Sequence, residues 1–203
     1  MNVVSEKILT RELGTLDYPS ALREMKNFTA RRTDKTEDEI WLVEHPPVYT
    51  LGQGAEDVTV GNGIPVVRSD RGGEITYHGP GQVVLYALID LTRRGIKVKR
   101  FVWLLEQSVI DFLGRGERRE GAPGVYVDGA KIAALGIRVS RGRAYHGLAL
   151  NVDMDLSPFK AIDPCGYPGL QVTQMKDLGL TRDLQSVKEK LARTLISVLE
   201  NNA

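Results

Sequence analysis

Cys165 is the only cysteine in the 203 residues, and it stands in the turn-rich segment DPCGYPG at positions 163–169. Proline and glycine on both sides exclude a helix interior or a central strand, so the segment is predicted to be an irregular loop. A thiol on a loop can be presented to a substrate, because its thiolate form is a nucleophile. A lone cysteine is also commonly a small buried hydrophobic residue, and its position alone leaves both interpretations open.

A nucleophilic thiolate needs a cation or a base beside it, and three residues could supply one. His78 lies in YHGPGQ, His146 lies in YHGLALN, and Lys131 follows the turn in VDGAKIAA. A lysine at that position either reaches solvent from the end of a strand or faces a site as a desolvated ammonium. The spacing does not choose between an imidazole and an ammonium as the partner of the thiol.

Metal and cofactor motifs do not appear in the sequence. The three histidines include no pair four residues apart on a helix, and a single cysteine cannot complete a paired metal motif. Neither a P-loop nor a G-x-G-x-x-G sequence opens a predicted helix, so a nucleotide-phosphate site is not indicated. We therefore expect no metal and no cofactor.

The segment RGGEITYHGPGQ at 71–82 directly precedes the apolar run VVLYALIDL. Its glycines allow the backbone to lie close to a ligand, because they have no Cβ atom. Arg71, Tyr77 and His78 add donors and flat surfaces to the segment. The same glycines could equally serve turns between neighbouring strands.

Three segments have helical spacing of apolar residues, and they must position these groups. The first follows Asp17, a predicted N-cap, the second spans about 98–113 and ends at Gly114, and the third contains Leu184 to Val198. Strand-like runs lie between them: EIWLVEH, HPPVYTLG, IPVVR, EITYH, QVVLYALIDL, GVYV, AKIAALGIRVS and RAYHGLALNVDMDL. The dipeptides Asp128-Gly129 and Arg141-Gly142 predict two hairpins, and therefore a three-stranded antiparallel meander over about residues 124–153.

These elements predict a single α+β domain over residues 1–203, in which a mixed, largely antiparallel sheet is covered by two or three helices. Hydrophobic residues make up 42% of the chain and its net charge is +1, which argues against a general nucleic-acid binder. No apolar run is long enough for a signal peptide or a membrane span, and one cysteine suits a reducing compartment, so we expect a cytoplasmic protein.

Basic residues form two local clusters, which are either solvated surface or patches that attract an acidic partner. The clusters are Arg93, Arg94, Lys97, Lys99 and Arg100, and Arg138, Arg141 and Arg143.

Five blocks of the sequence, taken in order, resemble the lipoyl(octanoyl) transferase family. They are EHPPVYTLGQG at 44–54, RGGEITYHGPGQ at 71–82, PGVYVDGAKIAALGIRVSRG at 123–142, YHGLALNVDMDL at 145–156 and PCG at 164–166. The resemblance extends from about residue 8 to about residue 200. Each block is weak alone, but five blocks in the same order are highly specific.

This resemblance implies a fold similar to the catalytic domain of biotin and lipoate protein ligases, without their ATP chemistry. It implies transfer of an octanoyl or lipoyl group from acyl carrier protein to a lysine of a lipoyl domain, the first step of endogenous lipoate synthesis. The implied acceptors are the lipoyl domains of 2-oxoacid dehydrogenase complexes and the H protein of the glycine cleavage system. Cys165 matches the family's acyl-carrying cysteine and Lys131 its partner lysine. The matching substrate-binding residues are Arg71, Gly72, Gly73, Glu74, Ile75, Thr76, Tyr77, His78, Ala134, Leu135, Gly136, Gly147, Leu148 and Ala149.

Three other functions are weighed beside this one. An ATP-dependent ligase on the same scaffold would activate a free acid and would not need Cys165. A non-catalytic module could hold an acyl chain in the glycine-rich loop while Cys165 merely packs. A cysteine–histidine hydrolase would use His78 or His146 in place of Lys131.

Overall fold

A computed structural model describes residues 7–162 and 169–201 of the chain. Its nine strands and three α-helices, in chain order, are β1 Ile8–Thr15, α1 Tyr18–Arg31, β2 Asp38–Glu44, β3 Val48–Leu51, β4 Val66–Arg68, β5 Ile75–His78, β6 Gln82–Asp90, α2 Val98–Leu113, β7 Gly124–Val127, β8 Ala130–Ser140, β9 Arg143–Asn151 and α3 Leu184–Glu200. Short 3-10 helices occur at Ser157–Ala161 and Met175–Leu178.

The helix boundaries follow local capping chemistry. The Asp17 carboxylate accepts a hydrogen bond from the backbone N–H of Ser20, which satisfies one of the free donors at the start of α1. Helix α2 is capped at its C-terminus by Gly114, whose φ of 68° is left-handed. Glycine adopts this conformation without steric strain because it has no Cβ atom. The predicted N-cap and the predicted second helix are confirmed.

The strands form two sheets rather than one. A six-stranded sheet has the order β1-β2-β6-β9-β8-β7, and a three-stranded sheet has the order β4-β3-β5. The pairs β1–β2 and β3–β4 are parallel and the other pairs are antiparallel, which confirms a mixed, mostly antiparallel arrangement. The division into two sheets was not predicted, because short apolar strands do not reveal their partners.

Strand β1 was also absent from the sequence prediction. Of its eight residues only Ile8 is buried, since β1 lies at the edge of the six-stranded sheet. An exposed edge strand has little apolar alternation, and so its sequence lacks the strand signal.

Both predicted hairpins are confirmed, and they create the meander β7–β8–β9. Asp128 and Gly129 have φ values of 50° and 82°, and Arg141 and Gly142 have φ values of 51° and 77°. Positive φ at both central residues gives a turn whose twist matches that of the flanking strands.

Apolar side chains cover both faces of the six-stranded sheet. Helices α2 and α3 pack on one face, against alternate residues of β6 that include Val83 and Leu85. Helix α1 packs on the other face, where Met25 meets Trp41 and Val84. The three-stranded sheet lies on the same side as α1, because Tyr18 of α1 stacks on His78 of β5.

Within the described residues, no helix has the length and apolar character needed to cross a membrane.

Candidate active site

Lys131 lies near the start of β8 and only 3% of its surface is exposed. It pairs with Tyr126 across the hairpin, and its Nζ lies 5.1 Å from the centroid of that ring. The same Nζ donates a hydrogen bond to the carbonyl oxygen of Pro123 at 3.3 Å. An aromatic face and a carbonyl oxygen both attract a desolvated cation. The structure therefore supports the interpretation of Lys131 as a desolvated ammonium rather than as a lysine that reaches solvent from the end of a strand.

A buried carboxylate supports this region from α2. Glu106 accepts a hydrogen bond from the backbone N–H of Gly124 at 3.0 Å and pairs with Arg118 at 3.2 Å. Burial raises the pKa of Glu106, while Gly124, Arg118 and the charge of Lys131 oppose that rise. Glu106 thus fixes the backbone turn that lies under the Lys131 side chain.

Gly124 leaves the space that the Lys131 side chain occupies. A Cβ atom at this position would lie 3.0 Å from Cε of Lys131 and 2.8 Å from the carbonyl oxygen of Ala133. Its φ of 148° is also one that side-chain-bearing residues rarely adopt.

The backbone of Lys131 is paired with the chain that follows Cys165 in sequence. Its N–H donates to the carbonyl of Gln171 at 2.8 Å, and its carbonyl accepts from the N–H of Thr173 at 2.9 Å. Residues 171–173 therefore run parallel to β8 as an added bridge at Lys131. Cys165 itself belongs to residues 163–168, which lie outside the described residues.

A cavity with about 490 Å³ of space between its atoms, part of it open to solvent, lies between the six-stranded sheet and residues 71–78. We call it the inner cavity. Its lining residues are Tyr18, Arg71, Gly73, Glu74, Ile75, Thr76, His78, Val84, Tyr86, Ala134, Leu135, Gly136, His146, Gly147, Leu148 and Ala149. The lining includes every residue of the predicted substrate-binding set except Gly72 and Tyr77. The structure thus brings three segments that are distant in sequence around one cavity, and acyl binding there stays a prediction.

The two exceptions lie beside the cavity. Tyr77 faces away, into a cluster with Tyr49 and Phe159, whose ring centroids are each 5.5 Å from its own. Gly72 donates its N–H to the carbonyl of Ile137 at 2.9 Å and so holds the glycine-rich loop against β8. These contacts give Tyr77 a packing role and Gly72 a role in loop placement.

A larger, more polar space adjoins the inner cavity on the side of α2. This outer opening contains about 1260 Å³ of space between atoms, part of it open to solvent. Its lining residues are Gly72, Gly73, Glu74, Val102, Gly121, Ala122, Pro123, Leu135, Gly136 and Ile137. Gly73, Glu74, Leu135 and Gly136 border both spaces. Lys131 is in the lining of neither space, but its Nζ donates to the carbonyl of Pro123, which borders the outer opening.

All three histidines are buried, and His78 and His146 are part of the inner cavity's lining. Burial lowers the pKa of His78 to about 3 and also lowers the pKa values of His45 and His146. His146 bonds to Asp70 at 2.8 Å, and His45 bonds to the hydroxyl of Tyr86 at 2.6 Å. A neutral imidazole cannot stabilise a thiolate by charge, and one with a pKa near 3 is a weak base. These properties favour Lys131 over His78 as the partner of a thiol.

Several residues around the inner cavity and Lys131 were not predicted from the sequence. Tyr18, Val84 and Tyr86 line the inner cavity, and Glu106 and Tyr126 surround Lys131. Alternation in β6 indicates that Val84 and Tyr86 share a face, but the choice of face depends on which strands and helices pack there.

The predicted basic clusters are partly wrong. Arg93 and Arg94 bond to the buried carboxylate of Asp38 at 2.7 and 2.6 Å, and Arg143 bonds to Asp90 at 3.2 Å. These arginines neutralise carboxylates inside the fold, because adjacent turns bring both charges to one end of the sheet. In the first cluster Lys97, Lys99 and Arg100 remain exposed around the start of α2.

Over the described ranges 7–162 and 169–201, no group of three or more histidine, cysteine, aspartate or glutamate side chains could hold a metal ion.

The sequence profile described as Lipoyl protein ligase A/B catalytic domain matches residues 17–196. The chain is 58% identical over 198 residues to the octanoyltransferase of Aromatoleum aromaticum, an alignment that covers 95% of this chain and 86% of that protein. It is 56% identical over 203 residues to the octanoyltransferase of an Azoarcus species, which covers 97% of this chain and 89% of the relative.

Solved structures confirm the fold class. Lipoate-protein ligase A bound with ATP superimposes with a TM-score of 0.77 at 16% identity, over 96% of this chain and 85% of that protein. Biotin protein ligase from Aquifex aeolicus superimposes with a TM-score of 0.57 at 11% identity, over 96% of this chain and 69% of that protein.

Proposed function

The chain belongs to the lipoyl protein ligase A/B catalytic domain family, and we propose that it acts as an octanoyltransferase. In this role it moves an octanoyl group from acyl carrier protein to the ε-amine of a lysine on a lipoyl domain. The observation that carries this proposal is the inner cavity, whose wall is mostly apolar and which shares lining residues with the outer opening. The buried Lys131 is hydrogen-bonded to Pro123 on the border of that opening. Relatives named octanoyltransferase at 50–58% identity support the same activity.

The inner cavity suits a medium-length acyl chain. Burying about seven methylene and methyl groups at roughly 0.8 kcal/mol each contributes about 5 kcal/mol before ordering costs. Gly136 lies where the two spaces meet, and a Cβ atom there would approach the carbonyl oxygen of Gly72 to 2.9 Å. A larger residue at 136 would therefore displace the glycine-rich loop and narrow the path of the chain.

We propose that Cys165 carries the acyl group between the two partners as a thioester. Its thiolate attacks the thioester carbonyl of the donor, and the bond to the phosphopantetheine sulfur breaks. Lys131, as an ammonium, stabilises the attacking thiolate and then gives a proton to the departing sulfur. One thioester replaces another, so this step needs no external energy source.

In the second step the acceptor lysine enters as a neutral amine and attacks the acyl-enzyme. A carbon–nitrogen bond forms, the Cys165 sulfur leaves as a thiolate, and the amine proton passes to the Lys131 amine that the first step left neutral. The enzyme thereby returns to its starting state. The backbone of Lys131 pairs with residues 171–173, which follow Cys165 closely in the chain. This pairing supports the assignment of acyl carriage to Cys165 and proton transfer to Lys131.

Intact-mass measurement tests this proposal. The purified protein is mixed with octanoyl acyl carrier protein without ATP, and we expect a mass increase of one octanoyl group that maps to Cys165. Cys165→Ala should remove the adduct, and Lys131→Met should slow its formation by at least about tenfold. Transfer that requires ATP would instead identify a ligase, and no adduct in the intact protein would reject the covalent mechanism.

We propose that the donor docks beside the start of α2. Lys97, Lys99 and Arg100 are exposed there, and Val102, on the same helix face as Lys99, lines the outer opening. Acyl carrier proteins are acidic, so this surface is complementary to them in charge.

The proposed acceptors are lipoyl domains of 2-oxoacid dehydrogenase complexes and of the glycine cleavage H protein. A cytoplasmic location is also proposed, because a chain with a single cysteine suits a reducing compartment.

A further inference from the structure

A continuous path of hydrogen bonds connects the wall of the inner cavity to the segment beside Lys131. All of its side chains from Arg71 through Asn151 are buried. In order, its members are Arg71, Thr50, His78, Gln82, Asn151 and Thr173. Arg71 and His78 line the inner cavity, whereas Gln82 and Asn151 lie behind its wall.

Two backbone carbonyls determine the orientation of both amide side chains. The Gln82 Nε2 atom lies 3.3 Å from the carbonyl oxygen of Tyr77, and the Asn151 Nδ2 atom lies 3.0 Å from that of Thr173. A carbonyl oxygen only accepts, so both atoms must be amide nitrogens. Gln82 therefore donates to Asn151 Oδ1 at 2.9 Å and presents Oε1 to His78 Nδ1 at 2.8 Å. It follows that Nδ1 of His78 carries the ring proton.

The other nitrogen of His78 completes the direction of the path. Thr50 Oγ1 accepts from Nε and Nη2 of Arg71 at 3.2 and 2.8 Å. Its own hydrogen is then available to His78 Nε2, which lies 3.3 Å away. Every donor points from the arginine toward Thr173, an arrangement in which each hydrogen bond polarises the next.

The path ends at the backbone that positions Lys131. Asn151 holds the carbonyl of Thr173, and the N–H of Thr173 donates to the carbonyl of Lys131 at 2.9 Å. The N–H of Lys131 donates in turn to Gln171 at 2.8 Å. Asn151 is thus the side-chain anchor of the segment that pairs with β8 at Lys131.

We propose that Gln82 and Asn151 are positioning residues, which fix the separation between the His78 wall of the inner cavity and the backbone of Lys131. A chain bound in the cavity and the Lys131 amine are thereby held in one geometry. This inference rests on the proposed octanoyl transfer for its kinetic consequence. Its structural consequence, the order of the bridge at Lys131, does not depend on that function.

Asn151→Leu tests the kinetic consequence, because leucine is similar in size but can neither donate nor accept. We expect kcat for octanoyl transfer to fall about 10- to 100-fold while KM for the octanoyl donor changes less than about threefold, since small misplacements of reacting groups have large effects on rate. Ser108→Ala is the control. It removes a buried hydroxyl that donates to Leu105 within α2 at 2.7 Å, and its kcat should stay near that of the unchanged protein.

Asn151→Asp supplies a readout that a general packing defect would not produce. In its protonated form the new carboxyl can accept from Gln82 and donate to Thr173, whereas its ionised form would repel the Thr173 carbonyl. Burial favours the protonated acid. The rate of this variant relative to the unchanged protein should therefore rise as the pH is lowered from 8 to 5.5, and the relative rate of Asn151→Leu should stay flat.

Amide hydrogen exchange measures the bridge without any substrate. In Asn151→Leu, exchange at the amides of Lys131 and Thr173 should accelerate at least about tenfold, and in Ser108→Ala it should not. Unchanged exchange together with kcat within threefold of the unchanged protein would overturn the proposal. If Asn151→Leu fails to fold, a flat pH response of Asn151→Asp overturns it instead. If the unchanged protein transfers no octanoyl group, the proposed function fails and the exchange result alone decides the inference.

Discussion

Lys131 is a buried lysine, a rare position for this residue type, and its Nζ lies against the ring of Tyr126. Burial of an ammonium costs free energy unless nearby groups compensate. At Lys131 the carbonyl of Pro123, the aromatic face of Tyr126 and the negative charge of Glu106 provide that compensation. The Lys131 side chain therefore has a defined direction rather than the freedom of a surface lysine, which is what its proposed role beside the Cys165 sulfur requires.

Gly124→Ala tests how closely that direction is set. The added methyl group would lie 2.8 Å from the carbonyl oxygen of Ala133 and 3.0 Å from Cε of Lys131, so both the β8 backbone and the Lys131 side chain must shift. We expect the rate of acyl transfer to fall about tenfold or more, with a loss of roughly 1–2 kcal/mol of unfolding free energy from the positive φ. Gly169→Ala is a control for the backbone effect, because Gly169 also has a positive φ of 73° but a Cβ atom there meets nothing within 4 Å. Equal rates for Gly124→Ala and the unchanged protein would contradict this account of Lys131.

At the scale of elements, the hairpin β7–β8 carries an irregularity beside Lys131. Val125 pairs with Ala133 but Tyr126 pairs with Lys131, so Ile132 is an extra residue in β8. A bulge of this kind changes the direction of a side chain relative to a regular strand. Here it allows Ile132 to join the core under α2 and α3 while Lys131 remains against Tyr126.

The bridge between residues 171–173 and β8 is a second element-scale feature, and proline substitution tests it. Thr173→Pro removes the N–H that donates to the carbonyl of Lys131, so we expect a large loss of transfer rate, about tenfold or more. Val172→Pro is the matched control. In a parallel bridge the N–H of the central residue points away from its partner strand, so this variant keeps both bonds to Lys131. Single-turnover acylation measures both variants, and similar rates for the two would show that the bridge does not matter.

At the scale of the whole molecule, three neutral histidines lie in the interior. Burial lowers the pKa values of His45, His78 and His146 below the ordinary value for histidine. Below about pH 6.5 the unfolded chain therefore binds protons that the folded chain does not, and unfolding becomes easier. Asp38 and Asp70 extend the effect. Burial would raise their pKa values, but hydrogen bonds from Arg32 to Asp38 and from His146 to Asp70 outweigh it and lower both.

We accordingly expect the free energy of unfolding to fall between pH 7.5 and 5.5, by up to about 1.4 kcal/mol per pH unit for each histidine below its unfolded pKa. A second loss should follow below about pH 4, as the unfolded chain protonates its aspartates. Urea denaturation at several pH values measures both windows. His45→Gln should reduce the slope of unfolding free energy against pH in the first window. An unfolding free energy that does not change from pH 7.5 to 5.5 would contradict the conclusion that the buried histidines are neutral in the folded protein.

The surface around α2 makes a prediction about partners. Lys97→Glu combined with Lys99→Glu should lower kcat/KM for octanoyl acyl carrier protein about tenfold at low salt, and 0.5 M salt should reduce the difference. A short octanoyl thioester without the protein should be used equally by both enzymes. Lys35→Glu with Lys190→Glu gives the same change in net charge at exposed positions elsewhere, and equal effects of the two pairs would exclude docking beside α2.

Local chemistry in the sequence determined the helices, the two hairpins and the fold class. The Asp17 cap, the end of α2 at Gly114 and the turn at Asp128-Gly129 depend only on neighbouring residues, and each appears as predicted. The family resemblance named the three segments that border the inner cavity, together with Lys131.

Tertiary structure alone decided the rest, because strand pairing and burial arise from residues far apart in the chain. It placed β1 beside β2, separated a second sheet, and bound Arg93 and Arg94 to Asp38 instead of to solvent. It also joined His78 to Thr173 through Gln82 and Asn151, four positions whose individual residue types carry no sign of the connection. Hydrogen bonds between side chains form only after the backbone has brought their atoms within about 3 Å, a condition that no local pattern records.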